Sequence, residues 1–157
     1  MQRGSAESPW RPTRRAMLGA TAALPVLALR GPAAADSAGE LRQALEAVAK
    51  GRIAAAGRLR LDAPEIAENG TLVPIEVSFD SPMNQQDHVT AIHLFADGNP
   101  RPQVAVFRFG PLSGQARIAT RVRLQQTQNL IALAESSDGK LHEARATVKV
   151  TIGGCGG

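Results

Sequence analysis

Two hydrophobic periods divide the chain. Leu41, Ala44, Leu45 and Val48 recur at i, i+3, i+4 and i+7, which places them along one side of an amphipathic helix. Before them, Ser37-Ala38-Gly39-Glu40 fits a capping box, in which the Ser37 hydroxyl accepts from the Glu40 amide. Gly51 is placed to end the helix, so the spacing predicts one over about 37–50. From residue 58 the period becomes two. Val73, Ile75, Val77 and Phe79 alternate with Glu76, Ser78 and Asp80; Ile118, Val122 and Leu124 alternate with Arg117, Arg121 and Arg123. Ala144, Ala146, Val148, Val150 and Ile152 alternate with Arg145, Thr147, Lys149 and Thr151. Such alternation buries one face of a strand and wets the other. Leu130 to Ala134 is apolar on both faces and reads as a central strand, and further strands are expected near 58–61, 89–96 and 103–109. Asn69-Gly70, Asp97-Gly98 and Asp138-Gly139 supply turn residues tolerant of positive φ. About seven short strands with no helical pattern between them predict an all-β body. The expected architecture is an immunoglobulin-like antiparallel β-sandwich over 58–152, with a short N-terminal helix in front of it.

Charge divides the chain differently. The 157 residues carry 18 Lys+Arg and 14 Asp+Glu, a formal charge of +4. Arg3, Arg11, Arg14, Arg15 and Arg30 stand against Glu7 alone before residue 36, so the remaining residues are neutral overall. A neutral body has no excess field to collect phosphates, which argues against a nucleic-acid partner. The leader itself runs from basic to apolar to small. Arg14 and Arg15 precede an uncharged stretch from Ala16 to Leu29, and Ala33-Ala34-Ala35 forms a cleavage site of A-x-A type. That order is a secretory signal over 1–35, cut after Ala35, and the apolar stretch falls short of the ~20 residues that span a bilayer. The paired arginines resemble the twin-arginine type of signal, with Met17 where Phe is commoner. The expected address is the periplasm, with no membrane span. Trp10 lies in the leader, so the expected mature chain from Asp36 has neither Trp nor Tyr.

The C-terminus is unlike the rest. Strand pattern runs to Ile152 and the chain then finishes Gly153-Gly154-Cys155-Gly156-Gly157. Glycine loses the most backbone freedom on ordering, so 153–157 is expected to be a flexible arm, reaching ~17 Å when extended. Its functional group is the one thiol of the chain. An internal disulfide needs a second Cys. A zinc site needs three or four ligands at set spacing, whereas His88, His93 and His142 are scattered singly, so no metal is expected. A cysteine catalyst needs a base or a cationic pocket, and the tail supplies neither. With a pKa near ~8.5, only a few per cent of such a thiol is thiolate at neutral pH. Two readings stay open at this point: a handle that a partner activates, and a dispensable tail whose thiol pairs between chains.

The sequence resembles the SoxY family, the substrate-carrier subunits of the periplasmic sulfur-oxidising (Sox) multienzyme system. The resemblance rests on the terminal Val150-Thr151-Ile152-Gly153-Gly154-Cys155-Gly156-Gly157. It extends to Asp62-Ala63-Pro64-Glu65-Ile66-Ala67-Glu68-Asn69-Gly70, Val73-Pro74-Ile75, Ser81-Pro82-Met83 and Ile92-His93. Ala96-Asp97-Gly98-Asn99-Pro100 and Thr127-Gln128-Asn129 belong to it as well. The resemblance implies that Cys155 is the attachment site, where thiosulfate is joined oxidatively as a cysteine S-thiosulfonate, and that Gly153, Gly154, Gly156 and Gly157 form the carrier arm. It implies a carrier and not an enzyme, with no cofactor beyond the sulfur intermediates on Cys155. The implied partners are a SoxZ-like subunit, a haem enzyme of SoxAX type, a SoxB-type hydrolase and, in some organisms, a sulfane dehydrogenase. Two alternatives use the same features. One is a Gly-Gly-terminal thiocarboxylate carrier, which needs cytosolic ATP and a β-grasp helix that 58–152 does not offer. The other is a periplasmic scaffold with an idle tail.

Overall fold

Three alanines set where the first element begins. In the computed structural model, which describes residues 33–152 with side chains from Ser37 onward, helix α1 spans Ala33–Ala49. Alanine has the strongest helix preference, so the helix starts before Ser37 and holds that residue inside it, not at the expected N-cap. Its C-terminal end is as expected. Lys50 and Gly51 take φ of 50° and 77°, the left-handed turn that glycine adopts without strain, and the Lys50 N–H still donates to Glu46 O at 2.8 Å.

Nine strands follow among the described residues: β1 (Ala54–Ala55), β2 (Leu59–Asp62), β3 (Ile66–Asn69), β4 (Val73–Phe79), β5 (Val89–Ala96), β6 (Gln103–Arg108), β7 (Ala116–Val122), β8 (Gln128–Ser136) and β9 (Leu141–Ile152). They form a larger sheet in the order β1-β9-β8-β5-β6, with β3 also on β9, and a smaller sheet β2-β4-β7. The core lies between the sheets. Val73, Ile75, Val77 and Phe79 of β4 meet Ile92 and Leu94 of β5, Leu130 and Ala132 of β8, and Val148 of β9. Strand β8 is buried on both faces because its other face carries Ile131 and Leu133, which with Phe95 and Leu141 receive Leu41, Ala44, Leu45 and Val48 of α1. The central-strand pattern of 130–134 thus reflects one face on the main core and one under the helix.

Two strands were not expected and neither is antiparallel. Ala54↔Leu141 and Ala67↔Val150 are parallel pairings, so β1 and β3 share one edge of β9, one toward each end. Both are short, and β3 buries only Ala67, which leaves no period-two signal to read. Of the expected turn glycines, Gly139 takes a positive φ of 79° while Gly70 and Gly98 do not. Gly98 is required by space: a Cβ there would lie 2.9 Å from Gln126 Nε2 and 3.0 Å from Gln128 Cβ.

A clasp fixes the helix end to the sheet. The Arg52 guanidinium donates to Val48 O at 2.6 Å and Ala49 O at 3.0 Å, two of the carbonyls a helix end leaves free. It also donates to Glu135 Oε2 at 2.6 Å, and Glu135 Oε1 lies 3.1 Å from His93 Nε2. Burial raises the Glu135 pKa, but the hydrogen bonds from Arg52 and His93 outweigh it and leave the group below the ordinary carboxylate value. The stability this carries is present above the ordinary carboxylate range and is lost as pH falls through the lower folded pKa.

His142 acts at higher pH. It is 4% exposed, with its ring edge-on to Phe79 at 5.0 Å between centroids. Burial first, then the Arg58 charge, disfavours the imidazolium and lowers the pKa from 6.5. The unfolded chain therefore binds this proton first on acidification, and stability falls as pH drops through 6.5 toward the folded pKa. Urea unfolding followed by circular dichroism at pH 7.5 and 5.5 should show a smaller loss for His142→Phe than for the wild type. An equal loss in both would assign the acid sensitivity to other groups.

Candidate functional site

Strand β9 is long because it is gripped on both sides to its end. The Lys149 N–H donates to Glu65 O at 2.9 Å, and the Thr151 hydroxyl donates to Glu68 O at 3.0 Å. From the other side, the Val150 N–H donates to Thr127 Oγ1 at 3.0 Å. Ile152, the last described residue, is itself held: the Gly70 N–H donates to its carbonyl at 2.9 Å. Asn69 sets that geometry with an Asx turn, its Oδ1 accepting from the Thr71 N–H at 2.9 Å and hydroxyl at 2.7 Å. The strand is therefore hydrogen-bonded through to its last described residue.

Several sequence segments of the family resemblance meet at that point. Gly70 holds Ile152, and Gly70 O in turn accepts from the Leu124 N–H at 2.7 Å. Next to Thr127, Gln128 Nε2 donates to Asn99 Oδ1 at 3.0 Å and Gln128 Oε1 accepts from the Gly98 N–H at 2.8 Å. Asn129 donates from its backbone and side chain to the two Asp97 carboxylate oxygens, both at 2.8 Å. Thr147 Oγ1 donates to Asn129 Oδ1 at 2.7 Å, which closes the network back onto β9. These polar residues tie the loops at this end of the fold to β8 and β9. The sequence assigns these segments no task, because the pairings join residues from 18 positions apart, Thr147 and Asn129, to the two ends of the body, Gly70 and Ile152.

The residues expected to act directly are placed as follows. Cys155, Gly153, Gly154, Gly156 and Gly157 lie outside the described residues, as do Arg14 and Arg15. Ala35, the expected cleavage residue, lies in the backbone of α1. The three histidines are spread over the fold: His93 pairs with Glu135, the His142 Nε2 lies 3.4 Å from Ser136 Oγ, and the His88 Nδ1 lies 2.9 Å from Asn84 O. No helix among the described residues is long and apolar enough to cross a membrane.

Near Ile152, the β2-β4-β7 sheet holds an open groove of about 890 Å³, lined by Asp62, Pro64, Leu72, Pro74, Glu76 and Arg121 among others. Leu72 is 68% exposed at its rim, two residues from the Gly70 that holds Ile152. Little in the period-two pattern signals this groove, because its lining mixes solvent-facing Glu76 and Arg121 with loop residues such as Pro64 and Leu72 and with buried Ile75.

A profile of the family described as sulfur oxidation protein SoxY matches residues 44–155. Among solved structures, the fold is similar to the sulfur carrier protein SoxY from Chlorobium limicola f thiosulfatophilum, with 34% identity and a TM-score of 0.60. That match covers 73% of this chain and 99% of the other. A superoxide reductase (neelaredoxin) from Ignicoccus hospitalis matches at 21% identity and a TM-score of 0.54, covering 60% of this chain and 80% of that one. A putative superoxide reductase from Thermotoga maritima matches at 20% identity and 0.52, covering 62% and 93%. At such identities the two reductases share the fold alone. No curated protein matches the chain.

Proposed function

This chain belongs to the SoxY family of sulfur oxidation proteins, and from that premise we propose that it carries pathway intermediates covalently on Cys155. The supporting observation is that the family match runs to Cys155 itself, three residues past a strand end gripped through Ile152. A rigid root and glycines on both sides of the thiol suit a group that must enter confined sites on other proteins.

The loading step balances as an oxidation. The Cys155 thiol and one thiosulfate join through a new sulfur–sulfur bond, releasing one proton and two electrons to a haem enzyme of SoxAX type. Water then cleaves the terminal sulfonate as sulfate on a SoxB-type hydrolase, leaving a persulfide on Cys155. In organisms that have one, a sulfane dehydrogenase oxidises the remaining sulfur. The tail offers no base, and a thiol of ordinary pKa is mostly protonated at neutral pH. Activation therefore falls to the partner. A sulfur–sulfur bond retains small anions that would otherwise diffuse away.

The same reading makes 1–35 an export signal of twin-arginine type cut after Ala35, places the mature protein in the periplasm and pairs it with a SoxZ-like subunit. Export in the folded state would carry along a partner that lacks a signal of its own. The test is reconstituted thiosulfate oxidation with the partner enzymes. Replacing Gly154 and Gly156 together by Leu should slow turnover about tenfold or more, because a branched side chain blocks entry to a narrow site. Unchanged rates would show that the arm never enters one.

A further inference from the structure

Asn69-Gly70 is the one Asn-Gly pair of the sequence. Such a pair can react with itself. The glycine amide nitrogen, which no side chain shields, attacks the asparagine Cγ, ammonia leaves and a succinimide ring forms. Water then opens the ring at either carbonyl, giving aspartate or isoaspartate; one water enters, one ammonia leaves and nothing is oxidised or reduced. The other asparagines lack that partner. Gln85 and Leu130 follow Asn84 and Asn129, and Asn99 precedes Pro100, which has no N–H. The two Asp-Gly pairs among the described residues are held as carboxylates, which resist attack. Asp97 accepts from Asn129 through both oxygens, and hydrogen bonds from Lys140 and then Ser136 hold the Asp138 carboxyl well below the usual carboxylate range.

The fold treats the two reacting groups of Asn69-Gly70 in opposite ways. Asn69 is exposed at the end of β3, and its Oδ1 accepts from the Thr71 N–H at 2.9 Å and the Thr71 hydroxyl at 2.7 Å. Two donors thus sit on the oxygen where negative charge develops as the nitrogen attacks, which favours reaction. Gly70 is buried, and its N–H is committed to Ile152 O at 2.9 Å. An amide in that bond keeps its proton and its direction, and attack on Cγ requires it to give up both. The bond lies at the last pairing of β3 with β9, Asn69↔Ile152. Beside it, the Thr151 hydroxyl donates to Glu68 O and the Val150 N–H to Thr127 Oγ1, both at 3.0 Å. Opening the end of β9 therefore releases the nucleophile next to a carbonyl that is already polarised.

We propose that Asn69 is a deamidation site gated by the end of β9. The ring forms only while Gly70 is detached from Ile152, so its rate is that of the free pair multiplied by the open fraction. The isoaspartate product carries an additional methylene in the backbone of β3. With Ala67 still opposite Val150, that insertion moves the Gly70 N–H off Ile152 O. Deamidation thus turns a brief opening into a lasting one. The aspartate product keeps the backbone and the Oδ1 acceptor and adds one charge beside Glu68.

The experiment incubates the full chain at mildly alkaline pH, with the Asn69 peptide followed by mass spectrometry and the Gly70 amide by hydrogen exchange. The series comprises the wild type, Thr127→Val with Thr151→Val, and the wild type in urea from below to above its unfolding transition, which opens the strand whatever the variant does. Loss of the Asn69 amide should be about tenfold or more slower in the folded wild type than in the unfolded chain, and should rise with Gly70 exchange across the series. A folded rate equal to the unfolded rate, or one that stays level while Gly70 exchange accelerates, overturns the gate. The isoaspartate form is then separated by ion exchange and compared with Asn69→Asp, which has the charge without the methylene. Faster exchange of the Val150–Ile152 amides in the isoaspartate form alone supports the loosening; equal exchange in the two overturns it.

Discussion

Replacing Cys155 by Ser is expected to reduce thiosulfate-dependent electron transfer in a reconstituted system to the level seen with the chain left out. The reason is chemical. Every intermediate on the proposed route is held by a sulfur–sulfur bond, and a serine hydroxyl can form none of them. With one cysteine in the sequence, no second thiol can substitute. The effect is therefore all or nothing and not a graded loss. The substitution lies beyond the last residue of β9, so the variant should unfold in urea at the wild-type midpoint within about 0.5 kcal/mol. Activity that survives in the serine variant would sink the carrier assignment; a shifted midpoint with lost activity would leave it unsupported by this variant.

Phe95→Ala is the largest structural effect expected. Phe95 is fully buried on the helix side of the large sheet, in a small second core with Val48, Ile131, Leu133 and Leu141. Deleting a buried Phe side chain costs about 3–5 kcal/mol, from lost transfer energy and the cavity left behind. Set against the 5–15 kcal/mol typical of a whole domain, that is a large share. The second core has few members, so the loss should fall first on helix docking. Amide exchange in Leu41–Ala49 should accelerate more than in β4 or β5. A cost under about 1 kcal/mol, or exchange that rises equally everywhere, would mean the helix does not depend on this cluster. The Arg52–Glu135 clasp at the same helix end is too exposed to replace it, since ion pairs near the surface contribute at most about 1 kcal/mol.

The strands that sequence periodicity made legible are those whose two faces see different surroundings. Val73–Phe79 and Val89–Ala96 are bounded where the pattern places them, and the doubly apolar Leu130–Ala134 lies at the centre of the larger sheet. What could not be read has physical causes. Ile66–Asn69 adds to β9 mainly through its backbone and buries one side chain, so no side-chain period marks it. The expected wholly antiparallel pairing fails at the same place, because parallel partners at the two ends of one strand leave no hairpin signature. Ser37 fits a capping box by spelling, yet three alanines upstream favour helix more strongly than the cap favours a stop.

The candidate site was legible in another sense. Its chemistry is one thiol among glycines, visible in the sequence because it follows an abrupt end of strand pattern. The residues that brace the strand before it were not. Gly70, Thr127 and Asn129 read as turn and polar strand residues, and only the fold shows that they brace the end of β9. Residue type marks the proposed attachment atom; long-range pairing shows what braces the end of β9 before it.

The central claim is covalent carriage on Cys155, and intact mass spectrometry of the protein recovered from its native periplasm tests it most directly. The account predicts a chain beginning at Asp36 that carries sulfur- or thiosulfate-sized additions, localised to Cys155 and removed by a reducing agent. Protein that bears only a free thiol or a disulfide dimer while the cells are oxidising thiosulfate would contradict it.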